Sequence, residues 1–442
     1  MAINPGNFSL GVRGKRTVYI ESYGCTANRF DLEVMLAKLV NGGYSTVDDA
    51  KSADVILINT CGVKKPTEDK ILNRLRVLSS LGKPLIVAGC LPKINLKAIY
   101  SSAPSFSAAV DPYSVSRILE AMKDAESGVK HKLFFSEKPD IKLLQPKVRL
   151  NRFVEIVKIA EGCSGACSFC CVRFARGRLF SYPKSVIVDR IRDAVSDGAR
   201  EIWITSQDNG AYGLDIGSDL AELLEECCMV EGDFLIRVGM MNPNHALRIL
   251  DRLVQAFMDR KVFKFLHLPV QSGDDLVLRR MNRFYSVEDF KRIVSTFREK
   301  MPRITLSTDV ICGFPGESED AFNRTVELIK EAAPDIVNIS KFFPRPQTPA
   351  AEMEQLPPAE VKNRSRRLTE IAKRISYERN RLWLGWKGRI LIDEKGKRDT
   401  WVGRNYAYKP VVVRCEENLL GKFVDVCVVE AFPTYLKAEI LE

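Results

Sequence analysis

Apolar positions along this chain fall into short runs of two periods. From residue 15 to 127, β-rich runs alternate with helix-spaced ones. TVYIESYGC, DVILINTC and PLIVAGC read as strands, and each ends on a cysteine: Cys25, Cys61 and Cys90. Between the first two, Leu32, Met35, Leu36 and Leu39 repeat at helical spacing. Strands separated by helices predict a parallel sheet with right-handed crossovers. Parallel strands end along one sheet edge, where such sheets build their sites. Three cysteines far apart in sequence are therefore expected to converge at one edge.

Residues 128–150 show no steady period and contain two prolines, so this stretch reads as a linker lying across the surface. The next block, 151–380, begins with six strand-like runs: RFVEIVKIA, EIWITS, FLIRVG, FKFLHLPV, ITLSTDVIC and DIVNISKFF. Helical patterns separate them, as at Val186–Val195 and Ala321–Ala332. Six βα units predict a curved, partly closed barrel with its chemistry at the C-terminal strand ends. A basic helix striped by Leu368, Ile371, Ala372 and Ile375 follows. From 381 to 442, short strands with Gly and Asn at the turns predict a small all-β barrel.

Composition narrows the setting. The 442 residues are 45% hydrophobic and 28% charged, as in ordinary globular proteins. No apolar run approaches the ~20 residues that span a membrane, and MAINPGNFSLG lacks a signal pattern. The expected location is cytoplasmic. In that reducing compartment the 12 cysteines point to metal binding or catalysis rather than disulfides. Cys227, Cys228, Cys312, Cys415 and Cys427 lie in regular runs and read as small buried hydrophobes. The net charge is +11, and Lys362–Lys409 alone carries 15 Lys/Arg against five Asp/Glu. An acidic partner is expected, nucleic acid first.

The densest chemistry is GCSGACSFCC. Cys163, Cys167 and Cys170 form C-x3-C-x2-C after the first barrel strand. Zinc sites usually bring two ligand pairs. Here there are three thiols, no paired fourth and no nearby histidine. Three thiolates on an iron–sulfur cubane leave one iron open to a small chelating molecule. Cys171 reads as structural, because neighbouring side chains diverge.

This motif, with Phe169 before its third cysteine and a six-unit barrel around it, resembles the radical S-adenosylmethionine superfamily. The resemblance implies that methionine's amino and carboxylate groups chelate the open iron and that cleavage yields a 5′-deoxyadenosyl radical. The order of a three-cysteine α/β domain, a radical barrel and a small β-barrel resembles the methylthiotransferases, over nearly the whole chain. That family implies a second [4Fe–4S] cluster on Cys25, Cys61 and Cys90, its open iron carrying the sulfur to be delivered. The last module resembles a TRAM domain, which implies RNA contacts from Lys387, Arg389, Lys397, Arg398, Arg404 and Lys409, with Trp401, Tyr406 and Tyr408 for base stacking. Arg176 and Arg178 follow the cluster loop and are expected to meet a carboxylate or a tRNA phosphate. Gln207, Asp208, Arg237, Gln271, Ser272, Asp309 and Gly313, with Phe169, are the expected cofactor contacts; His267 reads as a satisfied core histidine.

ARGRLFSYP, ITSQDNGAYG, HLPVQSGDD and TDVICGFPGE resemble the archaeal and eukaryotic branch. That branch converts N6-threonylcarbamoyladenosine beside the anticodon of tRNA (position 37) to its 2-methylthio derivative. It uses two S-adenosylmethionine molecules, one for the methyl group and one for the radical. Gln347 stands where the branch often has glycine, which puts the local loop shape in question. Expected partners are tRNA, an electron donor and a sulfur donor, with the chain acting as a monomer. Three other readings stay open: action on isopentenyladenosine, action on a ribosomal-protein aspartate, and a non-radical RNA-binding Fe–S protein.

Overall fold

The computed structural model describes residues 16–441; the MAINPGNFSLG segment lies outside them. The first domain is one parallel sheet. Its strands are β1 (Arg16–Ser22), β2 (Tyr44–Val47), β3 (Val55–Thr60), β4 (Leu85–Gly89), β5 (Ala108–Val110) and β6 (Lys132–Phe134), in the order β2-β1-β3-β4-β5-β6. Every residue of β3 and β4 is buried, which explains their continuous apolar runs. The chain leaves β1 toward β2 and returns on the other side to β3. The gap between β1 and β3 is therefore the sheet's topological switch point, where open α/β sheets bind ligands.

β2, β5 and β6 hold only three or four residues each, too few for a period to register in the sequence. β6 also corrects the reading of 128–150 as a surface linker. It pairs in parallel with β5, and Phe134 is buried beneath it. Further along, Lys147 is buried between Glu33 and Glu155, with its Nζ 3.0 and 2.7 Å from their carboxylates. Residues 128–133 lie on the surface as expected, but Phe134, Lys142, Leu143 and Leu150 are buried, and the lysines of the segment neutralise buried acids from both flanking domains.

The second domain contains β7 (Val154–Lys158), the two-residue pair β8 (Ala160–Glu161) and β9 (Phe180–Ser181), then β10 (Glu201–Thr205), β11 (Leu235–Val238), β12 (Phe265–His267), β13 (Thr305–Cys312) and β14 (Ile336–Lys341). β7-β10-β11 and β12-β13-β14 are parallel three-stranded sheets, joined by one bridge between Ile236 and Val262. The six main strands thus form an open arc in chain order. Ile202, Ile204, Ile236 and Val238 face the buried core, while Trp203, Arg237 and Asp309 on the alternate face stay half-exposed. Helix Thr26–Asn41 of the first domain packs on β7, and helix Pro358–Arg381 packs on β14.

The last domain is a closed barrel of β15 (Lys387–Lys395), β16 (Thr400–Arg404), β17 (Pro410–Arg414), β18 (Phe423–Ala431) and β19 (Leu436–Ile440), in the order β15-β16-β17-β19-β18. Trp383, Ile390, Ile392, Val411, Val426 and Leu436 fill it. Its β16–β17 turn docks at the N-terminal ends of the arc. The amide of Lys264 donates to Tyr406 O at 2.8 Å, and Tyr408 packs on Phe263 and Phe265.

Candidate active site

Cys25 sits at the N-terminus of helix Thr26–Asn41, just after β1; Cys61 follows β3 and Cys90 follows β4. The first two flank the switch point. Cys61 and Cys90 are buried and Cys25 is exposed. Asn28, itself 1% exposed, ties their loops together. Its Nδ2 donates to Tyr23 O at 2.9 Å and Thr60 O at 2.8 Å, and its Oδ1 accepts from Cys90 Sγ at 3.5 Å. Gly24 makes room for this arrangement: a Cβ there would lie 2.6 Å from Asn28 Nδ2, and its φ is +123°. Burial pushes the Cys61 thiol up to about 12, with Cys90 adding to it. Burial raises Cys90 as well, while the Arg176 guanidinium pulls both thiols the other way.

The second set lies on the loop after β8. The amide of Gly165 donates to Cys163 Sγ at 3.3 Å. A Cβ on Gly165 would stand 3.4 Å from Cys163 Sγ and 3.8 Å from Cys167 Sγ, so the glycine keeps the space between these sulfurs open. Buried Arg283 donates from Nη1 to Cys167 Sγ at 3.4 Å, and its Nε has no partner. A polar chain steadies the loop from the other side. Ser164 Oγ lies 3.5 Å from His245 Nε2, and His245 Nδ1 lies 2.7 Å from Asp208 Oδ2. Burial pushes the Cys163 thiol up to about 11.

Among the described residues, no three His, Cys, Asp or Glu side chains close on one metal ion. Zinc needs its sulfurs at about 2.3 Å from one centre, whereas a cubane offers a separate iron to each thiolate. Two sets of three sulfur donors, each beside a buried arginine, fit anionic [4Fe–4S] groups.

A cavity of about 440 Å³ reaches Cys170 of the second set. Lys64 and Lys65, which follow Cys61, line it together with Cys170, Gln271, Asp309 and Lys341. Gln271 adopts φ +66°, a strained state for this residue type that is typical of functional positions. Cys171 is buried beside Cys90, and its Sγ donates to Gly62 O at 3.4 Å, so its part is to seal the domain contact. His267 pairs with Asp309 at 3.2 Å.

Other expected contacts lie elsewhere. Ser272 is fully buried against Thr325, and the Gly313 amide is taken by Glu317 Oε2 at 2.8 Å. Both oxygens of Asp208 hold protein groups: Gly210 N and Asn242 N on one, His245 on the other. Arg237 lies over Trp203, Phe265 and Tyr408, and Gln207 is half-buried at the end of β10.

The RNA assignments divide. Arg178, Lys387, Arg389, Lys397 and Arg398 are exposed, Arg389 also pairing with Asp233 at 2.7 Å. Two are corrections: Lys409 is buried on Asp335 and Asn380, and Arg404 is held by Asp393 at 3.0 Å. Arg176, 1% exposed, meets the carboxylate of the two partners expected for it, at Asp31, and is buried away from any phosphate. Trp401 is buried in its barrel core and Tyr408 at the domain junction. The sequence reading passed over Asn28, Arg283, His245 and Ser164. The only sequence signal for them is a polar residue within a few positions of a cysteine, or at another strand end.

Residues 157–329 match the radical SAM superfamily, 17–111 match uncharacterized protein family UPF0004, and 385–441 match the TRAM domain. A probable threonylcarbamoyladenosine tRNA methylthiotransferase of Pyrococcus horikoshii is 45% identical over 430 residues, covering 96% of this chain and 99% of that protein. The chain belongs to the threonylcarbamoyladenosine tRNA methylthiotransferase family. A human member is 36% identical over 437 residues, covering 97% of this chain and 74% of that protein. The radical S-adenosylmethionine methyltransferase TsrM of Kitasatospora setae, solved with cobalamin and a [4Fe–4S] cluster, shares the fold at TM-score 0.55 and 15% identity, covering 76% of this chain and 77% of that one. The chain is a radical S-adenosylmethionine enzyme by its matched domain, and its family implies two [4Fe–4S] clusters.

Proposed function

We propose that this enzyme converts N6-threonylcarbamoyladenosine in tRNA to its 2-methylthio derivative, replacing C2–H by C2–SCH3. The supporting observation is one cavity that has Cys170 of the radical set in its wall together with Phe169, Gln271 and Asp309, and the Lys64–Lys65 loop that follows Cys61. C2–H is neither acidic nor open to nucleophiles, so the chemistry must be radical. When bound, the cluster on Cys163, Cys167 and Cys170 with S-adenosylmethionine supplies the radical, and the cluster on Cys25, Cys61 and Cys90 supplies the sulfur site.

The protein's own groups do the positioning. Arg283 and the Ser164–His245–Asp208 chain hold the second cysteine loop; Asn28 holds the first set. Gln271 and Asp309 face the cavity as polar contacts for nucleoside or cofactor. Lys64, Lys65 and Lys341 on its rim suit the carboxylate of a threonylcarbamoyl group, which an isopentenyl group lacks. Exposed Lys362, Arg366, Lys373 and Arg374 on helix Pro358–Arg381 extend the basic surface of Lys387, Lys397 and Arg398 toward tRNA phosphates. An electron donor and a sulfur donor complete the cycle, and the chain acts as a monomer in the cytoplasm. No helix among the described residues is long and apolar enough to cross a membrane.

The test is anaerobic reconstitution followed by nucleoside mass spectrometry of tRNA carrying threonylcarbamoyladenosine. The expected product gains one SCH2 unit, and Cys61→Ala makes none while still cleaving S-adenosylmethionine. Modification of isopentenyladenosine tRNA instead would overturn the substrate assignment.

A further inference from the structure

We propose that Arg176 is the positioning residue that matches the Cys25–Cys61–Cys90 site to a net-negative iron–sulfur group and locks that site to the radical cysteine loop. The inference rests on those three cysteines being cluster ligands. Arg176 ends the short helix Val172–Arg176 that follows Cys171, yet its side chain reaches the first domain. Nη2 donates to Asn28 Oδ1 at 2.6 Å and Asp31 Oδ2 at 2.7 Å. Asn28 is the side chain that touches Cys90 and joins the other two cysteine loops.

The charge count around it is unbalanced. Arg176, Lys142 and Lys158 are buried with only two carboxylates, Asp31 and Glu161. Lys142 Nζ lies 2.9 Å from Asp31 and 2.6 Å from Glu161; Lys158 Nζ lies 3.4 and 2.5 Å from the same pair. Arg176 Nη1 makes no hydrogen bond, and Glu161 Oε2 stands 3.6 Å away. One positive charge is thus in excess. Buried charge without a partner is costly. Through Asn28 Oδ1, which accepts from both Arg176 Nη2 and Cys90 Sγ, the guanidinium faces the three-cysteine site. Neutral thiols cannot balance it; thiolates on a cluster can.

The same network sets the spacing of the two cysteine sets. Glu161 stands two residues before Cys163, and Arg176 six after Cys170. Both ends of the radical loop are therefore pinned, through Asp31 and Asn28, to the helix that begins at Cys25. Tyr113 adds a hydrogen bond to the Arg176 carbonyl from the first domain.

The experiment is an EPR redox titration of each cluster, with iron content, on anaerobically reconstituted full-length Arg176→Met, Arg176→Lys and wild type. A nearby cation favours the reduced cluster, so Arg176→Met lowers the potential of the N-terminal cluster alone or loses about half the iron, on four irons per cubane. Arg176→Lys recovers part of that loss. Should Arg176→Met fail to fold, Lys158→Met removes the excess charge while leaving every Arg176 contact, and lowers the same potential by less. Equal shifts in both clusters, or full iron with unmoved potentials, would overturn the proposal. A wild type holding only about four irons would sink the two-cluster assignment instead, which separates the two failures.

Discussion

Asn28 shows how much one polar side chain can carry. Its amide satisfies two backbone carbonyls, a thiol and a guanidinium at once. Replacing it with alanine strips Tyr23 O of its donor, an acceptor worth about 1–3 kcal/mol, while Thr60 O keeps the Cys90 amide at 3.0 Å. Asn28→Ala is expected to lower the urea unfolding free energy by about 1–3 kcal/mol, and to reduce iron loading at the first site even where the fold survives. A loss below about 0.5 kcal/mol would mean that water replaces it. Gln347 makes the opposite case. It holds φ +64°, a conformation that glycine adopts freely, so the loop shape is kept at a cost in strain. Gln347→Gly is expected to raise stability by up to about 1 kcal/mol in a chemical melt, the relief of αL strain exceeding the added entropy of the unfolded chain. The cysteines were legible because strand ends are visible in an apolar pattern. Asn28 and Arg176 were not, since a period counts apolar positions and says nothing about which polar residue lies beneath the surface.

The helix that begins after Cys25 marks the same limit at the scale of an element. Its stripe of Leu32, Met35, Leu36 and Leu39 was readable, but the helix is buried on nearly all sides, including Asn28, Asp31 and Glu33. The neutralising cations come from 128–150 and from β7, so no local pattern announces them. That is why a stretch without periodicity reads as a linker although its lysines also reach buried acids of both domains. Lys147→Met should therefore behave as a core lesion. It leaves Glu33 with Arg29 at 3.5 Å and Glu155 with Arg190 at 2.9 Å but no cation between them, an expected loss of about 1–3 kcal/mol in denaturant unfolding. Lys147→Met/Glu33→Gln/Glu155→Gln should recover most of it, because the charges leave together; an equal loss in the triple variant would place the cost in packing instead.

At the scale of the whole molecule, the sequence gives three modules in order but not how the last one faces. Tyr408, Arg404 and Lys409 sit in a basic segment interleaved with aromatics, which is how an RNA-binding surface reads. Nothing in that pattern reveals that the β16–β17 turn is spent on plugging the arc, with Lys409 on Asp335 and Tyr408 on Phe265. The junction also buries Glu201. Burial first, then the nearby Asp393 carboxylate, pushes its carboxyl up to about 7, against Trp203 and Arg404, which favour the charged form. A carboxyl whose folded value lies above its unfolded one stabilises the fold at low pH, and that contribution is lost as pH rises through the folded value. The melting temperature, or the temperature at which the TRAM module undocks, is thus expected to fall as pH rises from about 4.5, the ordinary value of this carboxyl, through about 7. Glu201→Gln, which keeps the Trp203 hydrogen bond without a charge, should flatten that slope. An equal slope in the variant would assign the pH dependence to other groups. A slope of opposite sign in the wild type would mean that Glu201 stays ionised, with Arg404 and Trp203 outweighing its burial.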